Sequence, residues 1–152
     1  DFIVEDYMLL AVPKKYMMLQ KAEKREGEKY PWMDISMMPD EFIIQDNSCY
    51  VRQEIDQIFE EYGKELKPKM IVNSSMLAMQ TLERGMGFCF ISEVFLPYIT
   101  NTKDIDFFCI GKNKVKKTKT GIIYLKNKIL SRQEKYCISV LKEKIINGEI
   151  GA

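Results

Sequence analysis

The stretch from Glu41 to Met86 constrains this chain most, because its pattern passes from strand to helix twice. It opens with the apolar run Phe42-Ile43-Ile44 and turns polar at Gln45-Asp46-Asn47-Ser48. From Ser48 onward Val51, Ile55, Ile58, Phe59 and Tyr62 recur at helical spacing, with Arg52, Glu54, Gln57 and Glu61 between them. Gly63 ends that helix, since glycine takes the left-handed cap position without steric cost. A strand, Lys69-Met70-Ile71-Val72, follows Pro68, and Ser74 and Ser75 then cap a second helix through Arg84. Strand, polar turn, helix, strand, helix is an α/β unit. Its polar turns fall at the carboxyl ends of strands, where open α/β sheets bind ligands.

The rest of the chain extends the pattern. Phe2 to Val12 alternates and then becomes continuously apolar, as a buried strand does, with Pro13 ending it. Lys14 to Arg25 reads as a basic, partly amphipathic helix that runs out into a solvated loop, Glu23 to Lys29. Phe88 to Ile91 is a short buried strand, after which Ser92 caps a brief helix, Glu93 to Leu96, that Pro97 helps to close. Ile105 to Ile110 is a strand ended by Gly111. Five lysines in the eight residues from Lys112 to Lys119 read as a charged loop rather than a phosphate contact, because no aromatic side chain is interleaved with them. Gly121 precedes a strand at Ile122 to Leu125. The last helix opens with the capping box Ser131-Arg132-Gln133-Glu134, carries Tyr136 or Cys137, Val140, Leu141 and Ile145 as its apolar stripe, and stops at Gly148.

Composition excludes several classes of function. With 152 residues, 46% hydrophobic and 30% charged, the chain is that of a soluble globular protein of one domain. Lys plus Arg is 23 against Asp plus Glu at 22, and a balance of +1 argues against nucleic-acid binding by this domain. No apolar run is long enough to span a membrane. The first residues are acidic where a secretory signal would be basic, and the absence of an initial methionine suggests a processed or cut chain. Cys49, Cys89, Cys109 and Cys137 are too widely spaced for a zinc pair or a redox C-x-x-C, and the chain contains no histidine. We expect free thiols in a reducing cytoplasm, no metal and no cofactor.

Catalytic signatures are also missing from the sequence. There is no G-x-S-x-G elbow, no phosphate-binding loop and no dinucleotide fingerprint; Gly85-Met86-Gly87 ends a helix where such a site would open one. Glu60-Glu61 lies on a solvated helix face with nothing to pair it for acid–base work. The expectation is a binding domain and not an enzyme.

Three runs carry a resemblance. F-I-I-Q-D-N-S-x-x-x-R-x-x-I-D-x-I-F-x-E-x-G from Phe42, P-x-x-x-V-N-S-S from Pro68 and L-E-R-G-M-G-F-C-F-I-S-E from Leu82 resemble the effector-binding domain of LysR-type transcriptional regulators. The opening E-D-Y-M-L-L-A-V-P-K at Glu5 to Lys14 and the closing I-I-Y-L-K-N-K-I-L-S at Ile122 to Ser131 fit as well. The resemblance implies a fold of the periplasmic-binding-protein type 2 kind, with two α/β lobes and a small metabolite bound between them. Carried onto this chain, the strand crossings fall near Val12-Pro13 and between Gly111 and Ile122. Residues 13–119 then form one complete Rossmann-like lobe, lobe II, and residues 1–12 and 120–152 form part of lobe I. The family's winged helix-turn-helix and the first units of lobe I have no counterpart here, so DNA binding would reside in a region this chain lacks.

The resemblance also directs attention to ligand-binding residues. Gln45, Asp46, Asn47 and Ser48 lie between a strand end and a helix N-terminus, where free N–H groups favour an anion. Capping alone would equally explain Asn47 and Ser48. Asp46 would repel a carboxylate effector unless it points away or the effector carries an amine. Ser74 and Ser75 form a second such turn, with plain capping as the alternative. Met86, between two glycines, would let backbone approach a ligand, and packing accounts for that turn about as well. Met76 and Met79 could line an apolar pocket. The function so implied is a cytoplasmic metabolite sensor that controls a DNA-bound homo-oligomer; a solute-binding protein of a transport system, with the same two-lobe fold, is the alternative.

Overall fold

The computed structural model describes residues 2–146. In chain order the elements are β1 (Phe2–Pro13), β2 (Phe42–Gln45), α1 (Tyr50–Tyr62), β3 (Pro68–Val72), α2 (Ser75–Glu83), β4 (Phe88–Ser92), β5 (Ile105–Cys109), β6 (Lys117–Ile122) and α3 (Arg132–Ile146). Short 3-10 helices punctuate the loops, among them Glu93–Tyr98. Five strands form a mixed sheet in the order β3-β2-β4-β1-β5, with β6 paired to β1 off that path. β2 runs parallel to β3 and β4, whereas β1 is antiparallel to β4 and β5. The α/β class expected from the sequence is the one observed.

β1 is two strands in one. Its first half, Phe2 to Tyr7, pairs with β6, and its second half, Met8 to Pro13, lies between β4 and β5. The sequence changes character at the same place. Glu5 and Asp6 occupy the ribbon, while Met8 to Val12 are wholly buried because helices and loops cover both faces of the sheet there.

The core therefore has two layers. On one face Leu10, Phe42, Ile44, Phe88 and Phe90 pack against Ile55, Ile58 and Phe59 of α1. Phe42 meets Phe59 edge-on at 5.1 Å and stacks on Phe90 at 5.7 Å, the arrangements that ring quadrupoles favour. On the other face Leu9, Ala11, Ile43, Cys89 and Ile91 pack against Ala78, Met79 and Leu82 of α2. Gly63 closes α1 with φ +63°, its N–H donating to the Glu60 and Phe59 carbonyls. Burial pushes the Cys89 thiol well above its usual range, and that of Cys109 to about 11.

Several expectations need correction. Lys14 to Arg25 is not one helix but two 3-10 turns, Lys14–Tyr16 and Met18–Lys21, separated by Met17 in the left-handed region at φ +52°. Met18 turns into the core while Met17 and Leu19 stay exposed, so no single apolar face exists to support a helix. The loop that follows is tethered rather than free: Arg25 lies 3.6 Å over the Trp32 ring, and Glu28 accepts from the Tyr7 hydroxyl at 3.1 Å. The late strand is displaced from Ile122–Leu125 to Lys117–Ile122, inside the lysine run. Pairing decides this, because Lys119 faces Glu5 and bonds it at 3.5 Å. Ile123 and Leu125 are left 94% and 77% exposed.

In α3 the capping box is formed as expected. Ser131 N–H donates to Glu134 at 2.9 Å and Glu134 N–H donates to the Ser131 hydroxyl at 3.2 Å. The expected stripe is not buried: Tyr136, Cys137 and Leu141 are exposed and Val140 only half-buried. The side chain of Ile145 and the stop at Gly148 lie outside the described residues.

Two measurements follow from this packing. Lys128 and the Ser131 groups hold the Glu134 carboxyl at about 2, below its ordinary 4.5. A depressed carboxyl contributes stability that is complete above the ordinary value and lost as pH falls through about 2. The Ser131 amide resonance should therefore titrate with Glu134 below pH 4.5, and Glu134→Gln should abolish that titration. Gly87 packs so close to β2 that a Cβ there would sit 2.3 Å from the Glu41 carbonyl oxygen. Gly87→Ala should cost roughly 1–3 kcal/mol in urea denaturation, as overpacking does.

Candidate functional site

The carboxyl ends of the parallel strands β2, β3 and β4 meet along one edge of the sheet. Asp46 N–H donates to the Val72 carbonyl at 2.8 Å, and the Cys49 thiol reaches the Asn73 carbonyl at 3.7 Å, so the turns after β2 and β3 are bound together. Gln45, Asp46, Asn47, Ser48, Ser74 and Ser75 all lie here. Met86 does not join them. It sits ahead of β4, at the end of the sheet where the Glu41 carbonyl accepts from Phe88 N–H, and its own N–H is spent on the Thr81 carbonyl.

All of these turn residues but Asn47 have a definite local task. The Asp46 carboxylate accepts from Ser48 N–H at 2.9 Å and from the Ser48 hydroxyl, which holds it below the usual carboxylate range. This closed turn takes Ser48 out of the capping position, and α1 starts instead from Cys49, which caps nothing with its side chain. Asn47 and Ser48 remain exposed. Ser74 is a true N-cap, accepting from Leu77 N–H at 3.2 Å. Gln45 shares the sheet face of Ile43 and lies beneath the first turn of α2, where its Nε2 donates to the Ser75 hydroxyl at 3.4 Å. Its Oε1 is buried without a protein partner.

On the α1 face of the same edge is a cavity of about 320 Å³. Met8 of β1, Tyr50 and Val51 of α1, and Val94, Phe95 and Tyr98 of the 3-10 helix give it apolar walls, and Ser92, Thr118 and Lys119 add polar groups. A wider hollow of about 580 Å³ lies beside Glu61 and Lys112 to Lys116, but charged side chains and exposed loop line it. The smaller cavity is the better ligand site, since five elements converge on it around apolar walls with few polar groups.

The 3-10 helix bordering this cavity is anchored on both sides. Ser92 does not cap it; its hydroxyl donates to Asp6, as does Val94 N–H at 3.2 Å. Glu93 accepts from Lys29 and from the Tyr30 hydroxyl at 2.8 Å. Burial works against ionisation of Glu93, but these two partners win and keep its carboxyl below the ordinary value. Burial and Glu93 together push Tyr30 up to about 12.

Sequence reasoning assigned Met8 and Val51 to the core and Thr118 and Lys119 to a loop, and gave no site role to Tyr50, Phe95 or Tyr98. The aromatic pair around Pro97 was the available signal. Among the described residues no group of three or more His, Cys, Asp or Glu could hold a metal, and no helix is long and apolar enough to cross a membrane.

No protein-family model and no curated protein matches this sequence. Solved structures do. The effector-binding domain of QuiR in complex with shikimate is similar at 15% identity and TM-score 0.61, over 93% of this chain and 66% of that one. The Synechocystis CcmR regulatory domain in complex with 2-PG is similar at 15% identity and TM-score 0.63, over 92% and 63%. HinK, a LysR family transcriptional regulator from Pseudomonas aeruginosa, is similar at 12% identity and TM-score 0.58, over 94% and 48%. The chain thus has the fold of LysR effector-binding domains and spans less than two thirds of the length of these structures.

The capping assignments predict a contrast between two serines. Ser74→Ala should cost about 1 kcal/mol, the usual loss on removing an N-cap, and Ser48→Ala should cost less. Urea denaturation of the two variants checks this.

Proposed function

We propose that this chain is the ligand-sensing part of a LysR-type transcription factor, and that the 320 Å³ cavity is its share of the effector site. One observation carries the reading. The cavity lies at the carboxyl edge of the parallel strands, against the ribbon of β1 and β6, in a fold otherwise seen in effector-binding domains.

In this reading lobe II is the five-stranded sheet with α1 and α2. The ribbon, the segment after it and α3 belong to lobe I. The crossing then falls within β1, at Tyr7–Met8, a few residues ahead of the Val12–Pro13 boundary expected from sequence. Exposed Ile123, Leu125, Ile129 and Tyr136 are the surface that the remainder of lobe I would cover. Asp46, Asn47 and Ser48 form the rim of the effector site, immediately before Tyr50 and Val51. Gln45, Ser74 and Ser75 shape the adjoining turn from the α2 side, and Met86 is outside it.

The effector is a small metabolite with an apolar body that Tyr50, Val51, Phe95 and Tyr98 enclose and a polar end within reach of Ser92, Thr118 or Lys119. It acts by binding the closed arrangement of the lobes more tightly than the open one. DNA contact and assembly into an oligomer belong to the full-length protein, and the domain itself performs no catalysis. The regulatory domains that share this fold favour a regulator over a transport protein.

Amide NMR during titration with a panel of small aromatic and aliphatic carboxylates and amines tests the assignment. Binding should move the resonances of Val51, Val94, Phe95 and Thr118, and Val51→Arg should abolish those shifts while leaving the α2 resonances in place. Shifts confined to Lys112–Lys116 would overturn it.

A further inference from the structure

Asp6 does not line the cavity, yet its carboxylate binds three residues that do. One oxygen accepts from the Ser92 hydroxyl and from Val94 N–H at 3.2 Å, and the other accepts from the Thr118 hydroxyl. Those partners belong to three elements: the end of β4, the 3-10 helix Glu93–Tyr98, and β6. Ser92 and Thr118 are both buried, and the Asp6 carboxylate is the partner that both hydroxyls find in the protein. Asp6 itself sits in the ribbon half of β1, two residues before the strand enters the five-stranded sheet at Met8.

We propose that Asp6 is a positioning residue that couples the cavity to the crossing strands. A ligand that displaces Val94, Phe95 or Tyr98 pulls on Ser92 and the Val94 amide, and through one carboxylate moves Thr118 and β6. Conversely, the angle of the ribbon sets the position of the cavity wall. Hydrogen bonds to an ionised acceptor are stronger than neutral ones, and two oxygens shared among three donors make the contacts mutually dependent. The arrangement turns wall movement into strand movement with one side chain. This inference rests on the cavity being the effector site, but the link itself exists without effector.

Amide hydrogen exchange on the unliganded chain separates the two. Among the described residues Thr118 makes no hydrogen bond to the 3-10 helix, so Thr118→Val, which keeps the shape and removes the hydroxyl, reaches Val94 by hydrogen bonds only through Asp6. We expect Thr118→Val to speed exchange at Val94 several-fold and Asp6→Asn to speed it about tenfold or more, as loss of a charge-assisted bond does. In the Asp6→Asn background Thr118→Val should add nothing, and exchange at Ile55 to Phe59 of α1 should stay unchanged throughout. Equal effects of Thr118→Val with and without Asp6, or none at Val94, would overturn the link. Should Asp6→Asn not fold, Ser92→Ala with Thr118→Val gives the same cycle, and additive effects there count against it. Failure of the carboxylate and amine panel to bind would sink the effector reading and leave this result standing.

Discussion

Everything else in the molecule is arranged around β1 being shared by two pairings. A strand can hydrogen-bond to two neighbours, and β1 uses both in its second half, with β4 and β5, and one in its first half, with β6. The buried half, Met8 to Val12, contributes to both core layers, because alternate side chains face α1 and α2. The first half carries Glu5 and Asp6, which need partners, and the lysine- and threonine-rich β6 supplies them. A change that slipped this register by one residue would swap the buried side chains between the α1 and α2 layers and part Asp6 from Ser92 and Thr118.

Charge is placed with the same economy. The lysine run from Lys112 to Lys119 looks like an excess of positive charge but is partly balanced in place. Lys116 reaches Glu54 at 3.0 Å and Gln57 at 3.1 Å, Lys117 lies 5.1 Å from the Tyr7 ring, and Lys119 faces Glu5. These contacts bind β6 and the loop before it to α1 and β1. Being partly exposed, each stabilises little alone, and their main effect is to fix register and orientation.

Elements whose signals lie within a few residues were legible in the sequence. α1 follows from apolar spacing, α2 from its serine cap, Gly63 from the left-handed cap, and the start of α3 from Ser131 and Glu134, which bond each other within one turn. The polar turns after β2 and β3 were also legible as neighbours at a strand edge. Their internal chemistry was less so. Ser48 looked like a cap, but the Asp46 carboxylate claims it, and Gln45 looked exposed to ligand but is buried under α2. Local competition between side chains decided both, which a residue-by-residue preference does not contain.

The cavity and β6 were decided by tertiary structure. Thr118 and Asp6 are 112 residues apart, and neither carries a local sign that the other is its partner. Lysine and threonine beside a glycine read as loop until Glu5 and Asp6 lie opposite, and Phe95 and Tyr98 carry no sign of a site until β1 and β6 form a wall facing them. The alternation of elements, their caps and their buried faces were determined by the sequence alone, because periodicity and capping act over one or two turns. The site was decided by folding, because it is made where segments far apart in the chain are brought side by side.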